Sequence, residues 1–258
     1  MTKASDDGRV FRACALAAAA FTFVVIVASA FVRQSQVDLR CMEWPACAMR
    51  PAVAAAPAPA TALGGARTVH RVSATLAALF IAGMLVTGRG THRRVAAGAL
   101  ALVVALAGFG AATGGSPSPL VALGNLVGGY MLLAMLVAAY AGAAPASAAR
   151  AGVTVVAATA LLLVLVQAAQ VALADGSASA APWLHRAVAA GCATLVIATA
   201  WGMRRQRIVA ACLVGAIALL AVTHFASPSV ATAVLHNASA ALLVALLSAV
   251  IARGRHDG

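Results

Sequence analysis

The sequence predicts an all-α membrane protein whose eight transmembrane helices form two pseudo-repeated four-helix bundles. Apolar runs recur along almost the whole chain, each roughly as long as the ~20 helical residues that cross ~30 Å of hydrocarbon. Of the 258 residues, 63% are hydrophobic and only 9% are charged, which the core of a soluble protein does not explain. Polar landmarks of the first half recur in the second half.

Helix-breaking residues mark the ends of several apolar runs. Breakers at 114–117, 175–177 and 227–228 each separate two runs. The eight predicted spans are residues 10–32, 68–88, 94–114, 119–141, 150–174, 182–203, 207–226 and 229–252. The first span follows two basic residues as a signal peptide would, but it is long for such a segment and is interpreted as a retained helix. We assign residues 1–145 to an N-terminal half and 146–258 to a C-terminal half.

Basic residues are concentrated in alternate connections between the spans. Twelve of the 18 Lys and Arg residues fall on the side of both termini, and the other six fall on the opposite side. The positive-inside rule therefore predicts cytoplasmic termini and an outer loop over 33–67. The formal net charge of +12 thus reports membrane topology, and we expect no nucleic-acid partner.

A short internal repeat supports the two-half organisation. Ser116-Pro117-Ser118 matches Ser227-Pro228-Ser229, and the same offset aligns Asn125 with His236. Alanine-rich helices resemble one another by chance, whereas polar landmarks in register seldom do.

A second pair of landmarks is a His-Arg dipeptide at the start of the second and sixth spans. His70-Arg71 in the first half corresponds to His185-Arg186 in the second. Each half therefore has one helix that begins with His-Arg and one later helix that carries His or Asn.

The histidines of the C-terminal half suit axial ligation of haem iron. His185 and His236 are predicted at similar depth near the outer surface, on two different helices. Haem between helices takes one imidazole from each side, and Arg186 is placed to pair with a propionate. The alternative is that these histidines hydrogen-bond neighbouring helices. His224 is a spare ligand candidate.

The N-terminal half has an incomplete version of the same pattern. His70 stands where a ligand is expected, with Arg71 beside it, but Asn125 is a poor ligand for haem iron. Three interpretations of this half are open. It holds a second porphyrin through His70, it has a pocket without tight ligation, or His70 and Asn125 form a structural hydrogen bond.

The predicted outer loop contains two cysteines. Cys41 and Cys47 would face an oxidising compartment, which permits a disulfide. A redox or exchange role for the pair is the alternative.

Taken together, these motifs resemble the haem A synthase family over essentially the whole chain. The residues that carry the resemblance are Cys41, Trp44-Pro45 and Cys47 in a Cys-x-x-Trp-Pro-x-Cys loop, the two His-Arg pairs, and His236. No single motif is specific, but the set of them is.

The resemblance implies a multi-pass enzyme of the bacterial inner membrane that oxidises a ring methyl of haem O to the formyl group of haem A. A haem b cofactor would be held by His185 and His236, and the N-terminal half would receive haem O, with His70 as the catalytic residue. The loop cysteines would form a disulfide. Haem O synthase or oxidase assembly factors would be partners, besides membrane lipid.

Two positions depart from the family pattern. Arg67 stands where the family has a glutamate three residues before the first histidine, and Asn125 replaces the second N-terminal histidine. Both departures fall in the half that would bind substrate. The alternative functions are therefore a non-catalytic haem-binding or oxidase-assembly protein and an electron-transferring membrane cytochrome b.

Overall fold

The computed structural model describes residues 2–36, 60–112, 119–143, 151–173, 182–226 and 229–254. Within these ranges the regular structure consists of eight α-helices, without a strand. They are α1 (Thr2–Gln36), α2 (Ala60–Thr87), α3 (Thr91–Ala112), α4 (Pro119–Gly142), α5 (Ala151–Leu173), α6 (Pro182–Gly202), α7 (Arg207–Phe225) and α8 (Val230–Gly254). All eight are long and apolar enough to cross a membrane. The predicted all-α class and number of helices are thus confirmed for the described residues.

Helices extend into the segment 33–67, which the sequence predicted as a loop, from both ends. Helix α1 continues to Gln36, and α2 already begins at Ala60. The prediction followed apolarity, which ends where the hydrocarbon ends. Helical hydrogen bonding continues further, in α2 through alanines such as Ala62 and Ala66, which favour a helix, and also through Gly64 and Gly65.

Helix neighbours follow the same order in both halves of the chain. Helices α1 and α3 each pack against α2 and α4, and helices α5 and α7 each pack against α6 and α8. Since α6 and α8 share both neighbours, they face each other across a ring of four helices, and so do α2 and α4. Contacts of α8 with α1 and α4, and of α4 with α5, join the two rings.

Small residues bring several of these helices close together. A Cβ added at Gly128 of α4 would lie 2.6 Å from a methyl carbon of Leu106 in α3, and one at Gly202 of α6 would lie 2.5 Å from a methyl carbon of Val153 in α5. Close approach of backbones is the usual basis of helix association in an apolar environment, where burial gives little driving force.

The connection between α2 and α3 is a tight turn that is tied to α1. Gly90 adopts φ +54°, which favours glycine because a side chain is strained there. Arg89 forms an ion pair with Asp7 of α1 at 2.7 Å, and the ring of His92 contacts that of Phe11. The start of α1 and the α2–α3 turn therefore lie at the same end of the molecule, as the charge distribution predicts.

We expect Gly88→Ala to destabilise the protein by about 1–3 kcal/mol, the usual cost of overpacking. A Cβ at Gly88 would lie 2.7 Å from the Met84 carbonyl oxygen and 3.1 Å from the Arg93 nitrogen, and backbone atoms cannot yield as a side chain can. Gly64→Ala is the matched control, because nothing lies within 4 Å of its Cβ and alanine favours the helix. Denaturation in detergent measures both. Equal stability of the two variants would contradict the prediction.

Candidate functional site

The two His-Arg pairs lie at the same height in their helices. His70 is 17 residues before the last residue of α2, Thr87, and His185 is 17 residues before the last residue of α6, Gly202. At ~1.5 Å per residue, both histidines are ~25 Å from the far ends of their helices. His185 lies in the first turn of α6, as predicted. His70 lies almost three turns into α2, because α2 begins earlier than predicted.

Asn125 and His236 occupy equivalent places in α4 and α8. Each is the seventh residue of its helix, counted from Pro119 in α4 and from Val230 in α8. The repeat found in the sequence therefore corresponds to the same position along two helices. In the C-terminal half, His185 lies on α6 and His236 on α8, which face each other across one ring. In the N-terminal half, His70 lies on α2 and Asn125 on α4, which face each other across the other ring.

Three imidazoles come together in the C-terminal half. The rings of His185 in α6 and His224 in α7 are stacked, with centroids 6.2 Å apart and planes inclined by 29°. His236 in α8 is near enough for its charge to interact with those of both other residues. We call His185, His224 and His236 the histidine cluster. His185 is buried, with 9% of its surface exposed, and the other two are half-buried.

A hydrogen-bonded cap determines where α8 begins and therefore where His236 lies. The Thr232 backbone N–H donates to Ser229 Oγ at 3.0 Å, and the Ser229 backbone N–H donates to Thr232 Oγ1 at 2.9 Å. This reciprocal pair resembles a capping box and satisfies amides that the first helical turn leaves open. The last serine of the Ser-Pro-Ser repeat thus starts the helix that carries the candidate ligand.

Thr223 of α7 holds the His236 ring from one side. Its Oγ1 lies 3.1 Å from His236 Nδ1. The same oxygen lies 2.8 Å from the Leu219 carbonyl oxygen and 3.0 Å from that of Leu220. The sequence did not indicate Thr223, because a contact between α7 and α8 leaves no mark in the periodicity of either helix.

The histidine cluster suits a metal that is already coordinated by a cofactor and needs few ligands from the protein. Among the described residues, no three His, Cys, Asp or Glu side chains are grouped so that they could hold a metal ion. Haem iron receives four ligands from the porphyrin and needs only two from the protein. His185 and His236, on helices that face each other, fit that requirement in chemistry and in number.

Polar and aromatic residues lie at the rim of the cluster. Arg186, next to His185, is exposed, so its guanidinium can pair with an anionic group without being desolvated first. Trp183, two residues before His185, is 68% exposed, and Trp201 is 72% exposed at the other end of α6. An indole at each end of one apolar helix is the pattern of a membrane interface.

The N-terminal half presents His70 and Asn125 without joining them. Both side chains are half-buried, and in the described part of the chain they share no hydrogen bond with each other. The structural hydrogen bond considered from the sequence is therefore wrong. Arg71 and Arg67 are exposed, and Arg67 lies one turn before His70.

A buried polar contact that the sequence did not predict joins the two halves beside the cluster. Tyr130 of α4 is 2% exposed, and its hydroxyl donates to the Asn237 carbonyl oxygen of α8 at 3.4 Å. Arg33 of α1 interacts electrostatically with the same tyrosine. Since Asn237 follows His236, this contact helps to set the position of α8 against α4.

The predicted disulfide between Cys41 and Cys47 lies outside the described residues, together with Trp44 and Pro45. Cys14, Cys192 and Cys212 lie in helices as expected and are free thiols. The assignment of function therefore depends on the histidine cluster and on the correspondence of His70 with His185 and of Asn125 with His236. No known protein family, curated protein or solved structure matches this chain.

Proposed function

We propose that this chain is a membrane oxidoreductase of the haem A synthase type, with haem b held between α6 and α8. The observation that carries the proposal is the placement of His185 and His236 on helices that face each other across one ring. Haem b supplies one-electron redox chemistry when it is bound. The protein would supply two imidazoles and an apolar ring of helices that excludes water. The hydrogen bond of Tyr130 to the Asn237 backbone would help to hold α8 in place.

His185 and His236 are the proposed ligand pair, and His224 is not a member of it. A haem between helices would take one imidazole from each of two helices that face each other. His224 belongs to α7, which is adjacent to α6 in the ring, whereas His236 belongs to α8, which faces α6. Arg186 would hold a propionate at the exposed rim.

The proposed membrane orientation rests on the distribution of basic residues. All eight helices would span a bacterial inner membrane as two pseudo-repeated four-helix bundles, with both termini cytoplasmic. The contact between Asp7 and Arg89 supports a common end for the N-terminus and the α2–α3 turn. The histidine cluster then lies near the outer surface, about 25 Å from the basic end.

The N-terminal half would receive haem O. His70 on α2 and Asn125 on α4 lie at the height of the C-terminal ligands, and Arg71 would pair with a propionate there. With one strong ligand instead of two, this half would hold a porphyrin weakly. Weak binding suits a substrate, because the product has to leave the site. Haem O synthase and oxidase assembly factors are the proposed partners.

The test of the activity is expression in cells that make haem O but lack haem A, followed by extraction and chromatography of total haems. We expect haem A or its alcohol intermediate with the wild-type chain and a loss of at least about 100-fold with His70→Ala, the lower limit for a positioned catalytic group. His92→Ala is the control, because His92 lies at the opposite, basic end. A well-folded wild-type chain that forms neither product would refute the proposed activity.

A second candidate is a haem-binding protein without this activity, either an oxidase-assembly protein or an electron-transferring cytochrome b. It is favoured by Asn125 and by the exposed Arg67, which replaces a carboxylate expected in the family. This candidate predicts a haem b spectrum with no new haem in the extract. Reduction of that haem by a quinol would identify the electron-transferring form.

A further inference from the structure

Helix α7 contributes two successive residues to the histidine cluster. Thr223 contacts His236 of α8, and His224 is stacked on His185 of α6. Successive helical residues point about 100° apart, so a helix that lies between two others can touch both in this way. We propose that Thr223 is a positioning residue that holds the His236 ring with a proton on Nδ1, so that Nε2 is left to bind iron. This proposal rests on the proposed haem site.

The position of the Thr223 hydroxyl hydrogen decides which residue donates in the hydrogen bond between Thr223 and His236. A carbonyl oxygen can only accept. The Thr223 hydroxyl donates to the Leu219 carbonyl oxygen at 2.8 Å, with that of Leu220 at 3.0 Å; this bond to the preceding turn is the one that threonines commonly make in helices. Thr223 Oγ1 is then an acceptor toward His236, and Nδ1 must carry the proton that it donates.

A proton on Nδ1 decides which nitrogen can bind a metal. A neutral imidazole has one N–H and one lone pair, so donation from Nδ1 leaves the lone pair on Nε2. Ligating histidines in proteins usually donate their second nitrogen in this manner, and the hydrogen bond makes the ligand more basic.

Burial makes this hydrogen bond selective for one ring orientation. Thr223 is only 8% exposed, so little water can replace its hydroxyl if the ring turns. Rotating the ring would leave Nδ1–H without its acceptor in an apolar environment, which is costly. The ring is therefore oriented before a ligand arrives.

The hydrogen bond has an electronic consequence for bound haem. A more basic imidazole donates more strongly to iron and favours the ferric form over the ferrous form. Removing the acceptor should thus raise the midpoint potential of the haem as well as weaken its binding. A residue with a purely structural role would not shift the potential in this direction.

The experiment compares Thr223→Val with Thr223→Ser and Thr199→Val in the full-length chain, purified in detergent and titrated with haemin. Valine keeps the shape and removes the acceptor, whereas serine keeps the hydroxyl. Thr199 is the matched control in α6, fully buried and with its hydroxyl donated to the Leu195 carbonyl oxygen at 2.8 Å. Haem dissociation constants and midpoint potentials are measured for each variant.

We expect Thr223→Val to bind haem about 10-fold more weakly, the lower end of the range for such partners. Its midpoint potential should be more positive than that of the wild type, and the serine and Thr199→Val variants should match the wild type. If Thr223→Val matches Thr199→Val, or if serine is as harmful as valine, the role of Thr223 is refuted. If the wild-type chain binds no haem, it is the proposed haem site that fails.

Discussion

His185→Ala and His236→Ala are each expected to abolish the bis-histidine haem spectrum of the purified protein, whereas His224→Ala should retain it. The loss should exceed the roughly 10- to 100-fold that follows when only an outer partner of a ligand is removed. Both proposed ligands come from helices that face each other across a ring, and no other described imidazole lies across the ring from His185. The measurements are the absorption spectra of oxidised and reduced protein and the haem-to-protein ratio.

His224→Ala is a demanding control for this prediction. His224 is an imidazole in the same cluster, stacked on one proposed ligand and also in contact with Phe225. Its removal therefore tests whether any histidine near the site matters or only the pair on α6 and α8. Loss of haem with His224→Ala and retention with His236→Ala would reassign the ligand pair to adjacent helices.

Asn125→His is expected to create a second bis-histidine haem site and to raise the haem content from about one to about two per chain. The prediction follows from the equivalence of Asn125 and His236 as the seventh residues of α4 and α8, and of His70 and His185 in height. An amide is a poor ligand for haem iron, so one substitution would complete the pair. Pyridine haemochromogen assay and protein quantification measure the ratio.

Two controls accompany the Asn125→His variant. Adding His70→Ala should return the haem content to about one, because the new site would lose its partner. Asn237→His should create no site, since Asn237 lies beside the repeat position and its side chain donates to the Ala233 carbonyl oxygen within α8. A haem content that stays at one in Asn125→His would contradict the equivalence of the two rings.

Much of the fold was predictable because the hydrocarbon core imposes a length on every spanning helix. Apolar runs of that length and the breakers between them predicted eight helices, with boundaries for α4 to α8 that differ by only a few residues from those observed. Apolarity failed at the start of α2, where eight helical residues precede the apolar stretch. There, the helix continues beyond the length that membrane thickness requires.

The candidate site was predictable only in part. His185, His236, His70 and Asn125 were identified from a repeat, since polar residues in register stand out against apolar helices. Thr223 and Tyr130 were not, although both lie beside His236. Threonines and tyrosines are common in apolar helices, and nothing in their spacing distinguishes those that face a histidine.

The amino-acid sequence by itself determined the number of helices and their alternating direction. It also identified the matching positions of the two halves, His70 with His185 and Asn125 with His236. These properties depend on composition and spacing along a single helix. Only the tertiary structure decided that α6 and α8 face each other, that His224 is stacked beside His185, and that Thr223 contacts His236. Which helices become neighbours depends on the fit of small residues such as Gly128 and Gly202 against their partners, and that fit is a property of two surfaces together.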